Sequence, residues 1–368
     1  MTKLNKPWQI HQPMVTGVCW WNHKSVKALF PDAVSPPVIH RSFSDALKAA
    51  HENNGCIVAW SSRLTEKEIA QCDNDNIPLI RMEDGFLRSV GLGAGWVPAA
   101  SLILDSQGIY YDARQTSDLE WLLENQPVDE TQIKRAHDLR KKIIEAKLSK
   151  YNLNQANNVS TFPSNRLKVL VPGQVSDDAS VLTAIDQPTN SGTAFNVNLD
   201  LLKKARENNP DAYIIFKPHP DVASGLRKGQ LQKQEALSYA DHIAYNSDII
   251  AILDSCDKVE TFSSLTGFEA LLRDKQVTVH GQPFYAGWGL TQDMTALPSR
   301  TQKRSVDELV YLTLIEYSRY IDPLTFKPCQ VEDLIKSLEK LRQSRYLKFR
   351  NQLLLKLARV AEILPFNK

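Results

Sequence analysis

Residues 259–272 read VETFSSLTGFEALL. Three of the first four positions, Val259, Thr261 and Phe262, are β-branched or aromatic and the run reads as a strand; two serines follow, and a helical pattern with one glycine starts at about Thr266. A strand that turns directly into a helix is the unit of an α/β sheet. The turn also has chemical character. Uncommitted N–H groups and the positive dipole end of a helix favour an anion. Ser263 and Ser264 add hydroxyl donors, Gly267 would let a ligand approach the backbone, and Glu269 would suit the hydroxyls of a ribose. Serines before a helix also serve as plain N-caps, so the turn gains meaning only in company.

The company is found by working outward. LKVLVPG, AYIIFKP, KVETF and QVTVHG read as strands, with helices such as NVNLDLLKKARENN and DIIAILDSC between them. An earlier set, VTGVCWW, GCIVAW, PLIRME and SLILDSQGIYY, alternates with FSDALKAAHEN and TEKEIAQCDND, where Ser44 and Thr65 are candidate N-caps. This rhythm predicts parallel sheets covered by helices. The polar stretch NLNQANNVSTFPSNR separates the two sets. The fold class expected is α/β, with two Rossmann-like domains facing across a cleft. Residues 1–163 form the first domain with a helical linker, 164–304 the second, and 305–368 C-terminal helices. Ligands in such sheets bind beyond the carboxyl ends of the strands.

Bulk properties narrow the function. At 368 residues two domains are the default. A net charge of +2 argues against a nucleic-acid binder. No apolar run is long enough to span a bilayer, and the N-terminus, MTKLNKPWQIHQP, predicts no signal peptide. Five cysteines without metal-type spacing predict reduced thiols in a cytosol and no metal site.

Four further strand ends carry candidate chemistry. In IIFKPHPDV, Lys217 is a fixed cation and His219 a donor to phosphate, stiffened by flanking prolines; a strand-end histidine bonding a neighbouring carbonyl reads as well. In VLVPGQVSDDASV, Gly173 and Gln174 bend the chain ahead of Asp177 and Asp178. One of these aspartates could be a nucleophile or electrostatic stabiliser, or simply an N-cap. In LIRMEDGFLRSVGLG, Glu83 and Asp84 follow a strand and are bracketed by Arg81 and Arg88, a surface ion-pair cluster or a catalytic pair. One acid from each domain is an arrangement glycosyl chemistry uses. In GQPFYAGWGL, Tyr285 and Trp288 suit a sugar face, and a buried plug equally.

Together these stretches resemble the bacterial capsule β-Kdo transferases of the KpsC type. The resembling segments are RMEDGFLRSVGLG, LILDSQGIYYDA, VLVPGQVSDDASV, FKPHPDVASGLRKG, SSLTGFEALL and GQPFYAGWGLT. The chain has the length of one of the two modules such proteins carry, and VPGQVSDDAS is similar to the C-terminal, β-2,7 one. The resemblance implies a GT-B-like fold and CMP-Kdo as donor, with no cofactor. It implies a Kdo-bearing phosphatidylglycerol acceptor, a cytoplasmic protein peripheral at the inner membrane, and other capsule-assembly proteins as partners. It makes Asp178 the nucleophile of a retaining double displacement and Glu83 the acid/base, with Asp84 as the alternative. Lys217, His219, Ser263 and Ser264 would hold the phosphate or the Kdo carboxylate, with Gln174, Gly267, Glu269, Arg88, Tyr285 and Trp288 as further binding candidates. The segment after Ser180 is longer than the family pattern. The C-terminal stretch LEKLRQSRYLKFRNQLLLKLARVAEIL is basic and amphipathic and suits either a closing helix or an anionic membrane surface.

Overall fold

The structure is a computed structural model and describes residues 6–91, 96–152, 162–184, 196–223, 227, 229–245, 247–344 and 350. The long segment after Ser180 and the basic stretch beyond residue 344 lie outside the described residues.

Thirteen strands among the described residues form two sheets. The first contains β1 (Gln12–Thr16), β2 (Val38–Ile39), β3 (Gly55–Trp60), β4 (Leu79–Asp84) and β5 (Ser101–Asp105). The second contains β6 (Lys168–Pro172), β7 (Tyr213–Lys217), β8 (His242–Ile243), β9 (Lys258–Thr261), β10 (Gln276–Val279) and β11 (Gln292–Asp293). Two late strands, β12 (Ser318–Ile321) and β13 (Pro328–Cys329), return to the first sheet. The orders are β13-β12-β5-β4-β3-β1-β2 and β11-β10-β9-β6-β7-β8. The central strands are buried on both faces, which is why Cys56–Ala59 and Val169–Val171 are continuous apolar runs rather than alternating ones.

The second sheet is parallel throughout, as its rhythm predicts. The first is mixed. β4 pairs antiparallel with β5, β5 with β12, and β12 with β13. The reason is local. A parallel return needs a crossover, usually a helix, and none of the described residues between β4 and β5 is helical. The chain folds back at Gly85, whose N–H donates to the Ser101 carbonyl at 2.9 Å. A Cβ at Gly85 would lie 2.0 Å from the Ser101 Oγ, so the return is closed to any larger residue.

The division at residue 305 also needs amending, because the region beyond it holds strands as well as helices. A π-helical segment, Tyr311–Tyr317, leads into β12. The Tyr317 hydroxyl donates to the buried Asp105 Oδ2 at 2.7 Å, and burial raises the Asp105 pKa against that and several backbone hydrogen bonds. The helix caps follow the sequence closely. Thr65 forms a capping box with Glu68, whereas the other early cap is Ser42 rather than Ser44.

Each sheet has an apolar cluster of its own, and a further one spans both sheets. At its centre Phe86 of the first sheet's loop meets Phe284 and Tyr110 at ring distances of 4.9 Å each, and Phe268 packs on Phe284 at 5.3 Å. Each such aromatic pair adds roughly 0.5–1.5 kcal/mol beyond simple burial. The helix Glu130–Glu145 bridges the units, Arg140 Nε donating to the Leu272 carbonyl at 2.7 Å. Among the described residues no helix is long and apolar enough to cross a membrane.

Candidate functional site

Carboxyl ends of strands from both sheets open onto one cleft of about 790 Å³. The second sheet supplies a wall organised by Gln174. Its side-chain oxygen accepts from the Thr261 hydroxyl and from the N–H groups of Phe262 and Ser263 at 3.1–3.2 Å, and its amide donates to Ser263 Oγ at 3.0 Å. Gln174 is itself buried, clamped by Asn198. One side chain thus ties the ends of β6 and β9 together and sets the serine turn. Ser264 caps the helix Leu265–Leu271 by accepting from Thr266 N–H at 3.2 Å. The turn therefore reaches the cleft with two hydroxyls and the start of a short helix, and Glu269 sits behind it.

Lys217 and His219 leave β7 on the same wall. The Lys217 ammonium donates to the Tyr245 carbonyl at 3.2 Å; burial lowers its pKa, opposed by Asp248. The His219 ring accepts the Asp221 N–H at Nδ1, 3.2 Å away, so a neutral ring carries its proton on Nε2. Burial also lowers its pKa, against Asp221 and Asp178. Asp178 is half-buried and caps the turn Ala179–Leu182, its Oδ1 accepting from Ser180 N–H at 3.0 Å and Ser180 Oγ at 2.7 Å. Its neighbour Asp177 points to the exposed Arg227, 3.0 Å away. The two aspartates thus divide their work, and Asp178 is the one fixed by its own turn.

The first sheet supplies the facing wall through Glu83 and Asp84 at the end of β4. Arg88, fully buried, donates from Nε to Asp84 Oδ2 at 2.6 Å. Asp84 is thereby held as a fixed partner of an internal cation. Among the described residues Glu83 has no such partner, and its Oε1 accepts the Asp84 N–H at 3.1 Å. Burial, and then the charge of Asp84, push the Glu83 carboxyl up to about 7, with Asp178 across the cleft adding to the rise. A carboxyl poised near neutrality can both give and take a proton at working pH.

Three expectations are corrected. Arg88 is behind Asp84 rather than in the cleft, because an ion pair with Asp84 and bonds to Ser89 Oγ and the Val97 carbonyl use its donors. Tyr285 and Trp288 are wholly buried and form the plug, not a sugar face. Tyr285 Oη donates to the Ser264 carbonyl at 2.5 Å, and Trp288 Nε1 to the Phe284 carbonyl at 2.7 Å. Gly267 makes room for Tyr285 instead of a ligand, since a Cβ there would lie 2.3 Å from Tyr285 Oη. Glu269 does line the cleft, though it is largely buried, its Oε1 accepting the Lys150 N–H at 3.0 Å and its pKa raised by burial against Arg273 and Lys150.

The sequence reading missed Lys150. It follows the helix Glu130–Glu145 and projects into the cleft, its carbonyl accepting from the N–H groups of Arg88 and Ser89. The ammonium lies 5.5 Å from the Tyr151 ring centroid. Burial opposes its charge, yet Tyr151, Tyr110, Asp84 and Glu83 outweigh burial and raise its pKa. No strand-end pattern marks a lysine of this kind; only the sequence KLSKY, ahead of the polar linker, hints that a cation follows the helix.

A family model described as capsule polysaccharide biosynthesis protein matches residues 55–320, well over half of the chain. The capsule polysaccharide modification protein LipA of Neisseria meningitidis serogroup B is 44% identical over 298 residues, which cover 81% of this chain and 41% of LipA. The lipopolysaccharide-processing protein LpsZ of Rhizobium meliloti is 43% identical over 266 residues, 72% of this chain and 59% of LpsZ. The chain thus spans about two fifths of the length of LipA. Among solved structures, the β-Kdo 2,4 transferase of Thermosulfurimonas dismutans KpsC superposes with a TM-score of 0.75 at 31% identity, covering 89% of this chain and 98% of that one. The β-Kdo 2,7 transferase of the same KpsC gives 0.70 at 29%, covering 90% and 100%. The fold of this chain is GT-B-like. The chain belongs to the family of capsule polysaccharide biosynthesis proteins.

Proposed function

We propose that the chain is a retaining β-Kdo transferase that moves Kdo from CMP-Kdo to a Kdo-terminated glycolipid acceptor. The observation that carries this reading is the pairing of Glu83, poised near pH 7, with Asp178 on opposite walls of one cleft.

In the proposed reaction an oxygen of Asp178 attacks the anomeric carbon. The bond from that carbon to the CMP phosphate oxygen breaks, and its electron pair leaves with CMP. An acceptor hydroxyl then gives its proton to Glu83, attacks the same carbon and expels Asp178. Two inversions give net retention. The Ser263–Ser264 turn, Lys217, His219 and Lys150 form a donor-rich wall for a phosphate and a carboxylate, and this supports a singly phosphorylated donor handled without a metal ion. The cleft volume of about 790 Å³ falls within the roughly 300–1,000 Å³ range of small-molecule sites.

A lipid-linked acceptor places the reaction at the cytoplasmic face of the inner membrane, and the basic amphipathic stretch from residue 342 onward supports such a contact. For linkage, VPGQVSDDAS favours β-2,7, while the slightly better superposition on the 2,4 module favours β-2,4. Incubation with CMP-Kdo and a short Kdo acceptor, followed by NMR of the product, tests donor, anomer and linkage together. No turnover of CMP-Kdo on any Kdo acceptor would overturn the reading.

A further inference from the structure

A second cavity, of about 260 Å³, opens at the carboxyl ends of β1 and β3 on the first sheet's side. Its floor is Thr16, Gly17 and Ala59, and its sides are Trp60, Arg41 and Arg63. Arg63 also lines the main cleft, so the two spaces meet at that residue. It projects from the turn Ser61–Arg63 immediately after β3.

Both arginines are exposed, and among the described residues neither has an ion-pair partner. Arg63 donates to Cys19 Sγ at 2.9 Å, which leaves its charge uncompensated. Glu68 lines the same space, but its Oε2 is taken by the Thr65 N–H and hydroxyl in the capping box, each at 2.8 Å. Gly17, at φ +72, keeps the floor tight: a Cβ there would stand 3.2 Å from Trp60 Cβ. The cavity thus offers an indole and two guanidinium groups in a space below the roughly 300 Å³ at which sites for drug-sized molecules begin. Guanidinium forks match carboxylates, and an indole matches the apolar face of a ring.

We propose that this cavity is a subsite for one acidic sugar residue of the acceptor, set back from the residue whose hydroxyl reacts. The inference rests on the transferase reading above and extends it, assigning the preference for acceptor length to Arg41 and Arg63.

The test compares acceptors bearing one or two Kdo residues on the same aglycone, with the wild type, Arg41→Gln, Arg41→Lys and Arg63→Gln. The wild type is expected to show a KM about ten-fold lower for the two-residue acceptor, the worth of one charge-assisted contact. Arg41→Gln should remove that advantage while leaving kcat and the one-residue KM unchanged, and Arg41→Lys should restore part of it. Arg63→Gln should also lose the advantage. Equal KM values for both acceptors in the wild type, or an Arg41→Gln effect of the same size on both, would overturn the subsite while leaving the transferase reading intact. Absence of transfer to either acceptor would remove the transferase reading and the subsite with it.

Discussion

Replacing Glu83 by Gln should stabilise the protein while removing its function, and the gain should depend on pH in a defined direction. The carboxyl rises from an ordinary 4.5 to about 7 in the folded chain, through burial first and the charge of Asp84 second. At about 1.4 kcal/mol per factor of ten, ionising Glu83 within the fold costs about 3 kcal/mol, an upper bound because water reaches the half-buried group. The folded state holds its proton up to a higher pH than the unfolded one, so stability falls as pH rises from about 4.5 to about 7. Above that window the penalty is complete; below it none remains. Glutamine is close in shape, can still accept the Asp84 N–H and carries no charge. Urea unfolding of wild type and Glu83→Gln at pH 8 should therefore show the variant more stable by up to about 3 kcal/mol, falling to about half at pH 5.5. A difference that is constant across this range, or a less stable variant, would refute the burial argument and with it the case for Glu83 as the acid/base.

Three further outcomes follow from the geometry. His219→Ala should weaken CMP binding by about ten-fold or more, the cost of one charge-assisted hydrogen bond at roughly 1.5–3 kcal/mol; calorimetric titration with CMP reads it, and an unchanged affinity would place the phosphate elsewhere. Gly267→Ala should destabilise the fold by about 1–3 kcal/mol or more, since the new methyl would meet Tyr285 Oη at 2.3 Å; a urea midpoint equal to wild type would contradict it. Transfer should survive EDTA, because Lys217, Lys150 and His219 are placed to meet the donor's charge; activity lost to EDTA and restored by magnesium would contradict that.

The strand-to-helix rhythm made both sheets legible, because a parallel strand buried on two faces must be a short apolar run. The antiparallel return at Gly85 was not legible, since it depends on the chain folding back there, with no helix among the described residues between β4 and β5, rather than on any residue within either strand. Strand ends also pointed to Glu83, Asp178, Lys217, His219 and the serine turn, all of which line one cleft. Side-chain direction was the weak point. Arg88 looks the same in sequence whether it faces a ligand or an internal Asp84. Tyr285 and Trp288 among glycines suit a loop face or a plug, and only the Ser264 and Phe284 carbonyls decide between them. Lys150 enters the cleft from the segment joining the two units, where no periodic pattern operates.

The central claim is that Asp178 forms a covalent bond to the transferred sugar. The most direct measurement is mass spectrometry of Glu83→Gln after a brief exposure to CMP-Kdo. The second step then lacks its base, and an adduct of one Kdo residue should accumulate on the peptide carrying Asp178. Asp178→Asn should neither form the adduct nor transfer sugar, while still binding CMP. Product formation by Asp178→Asn at a substantial fraction of the wild-type rate, or a product with the inverted anomer, would contradict the account.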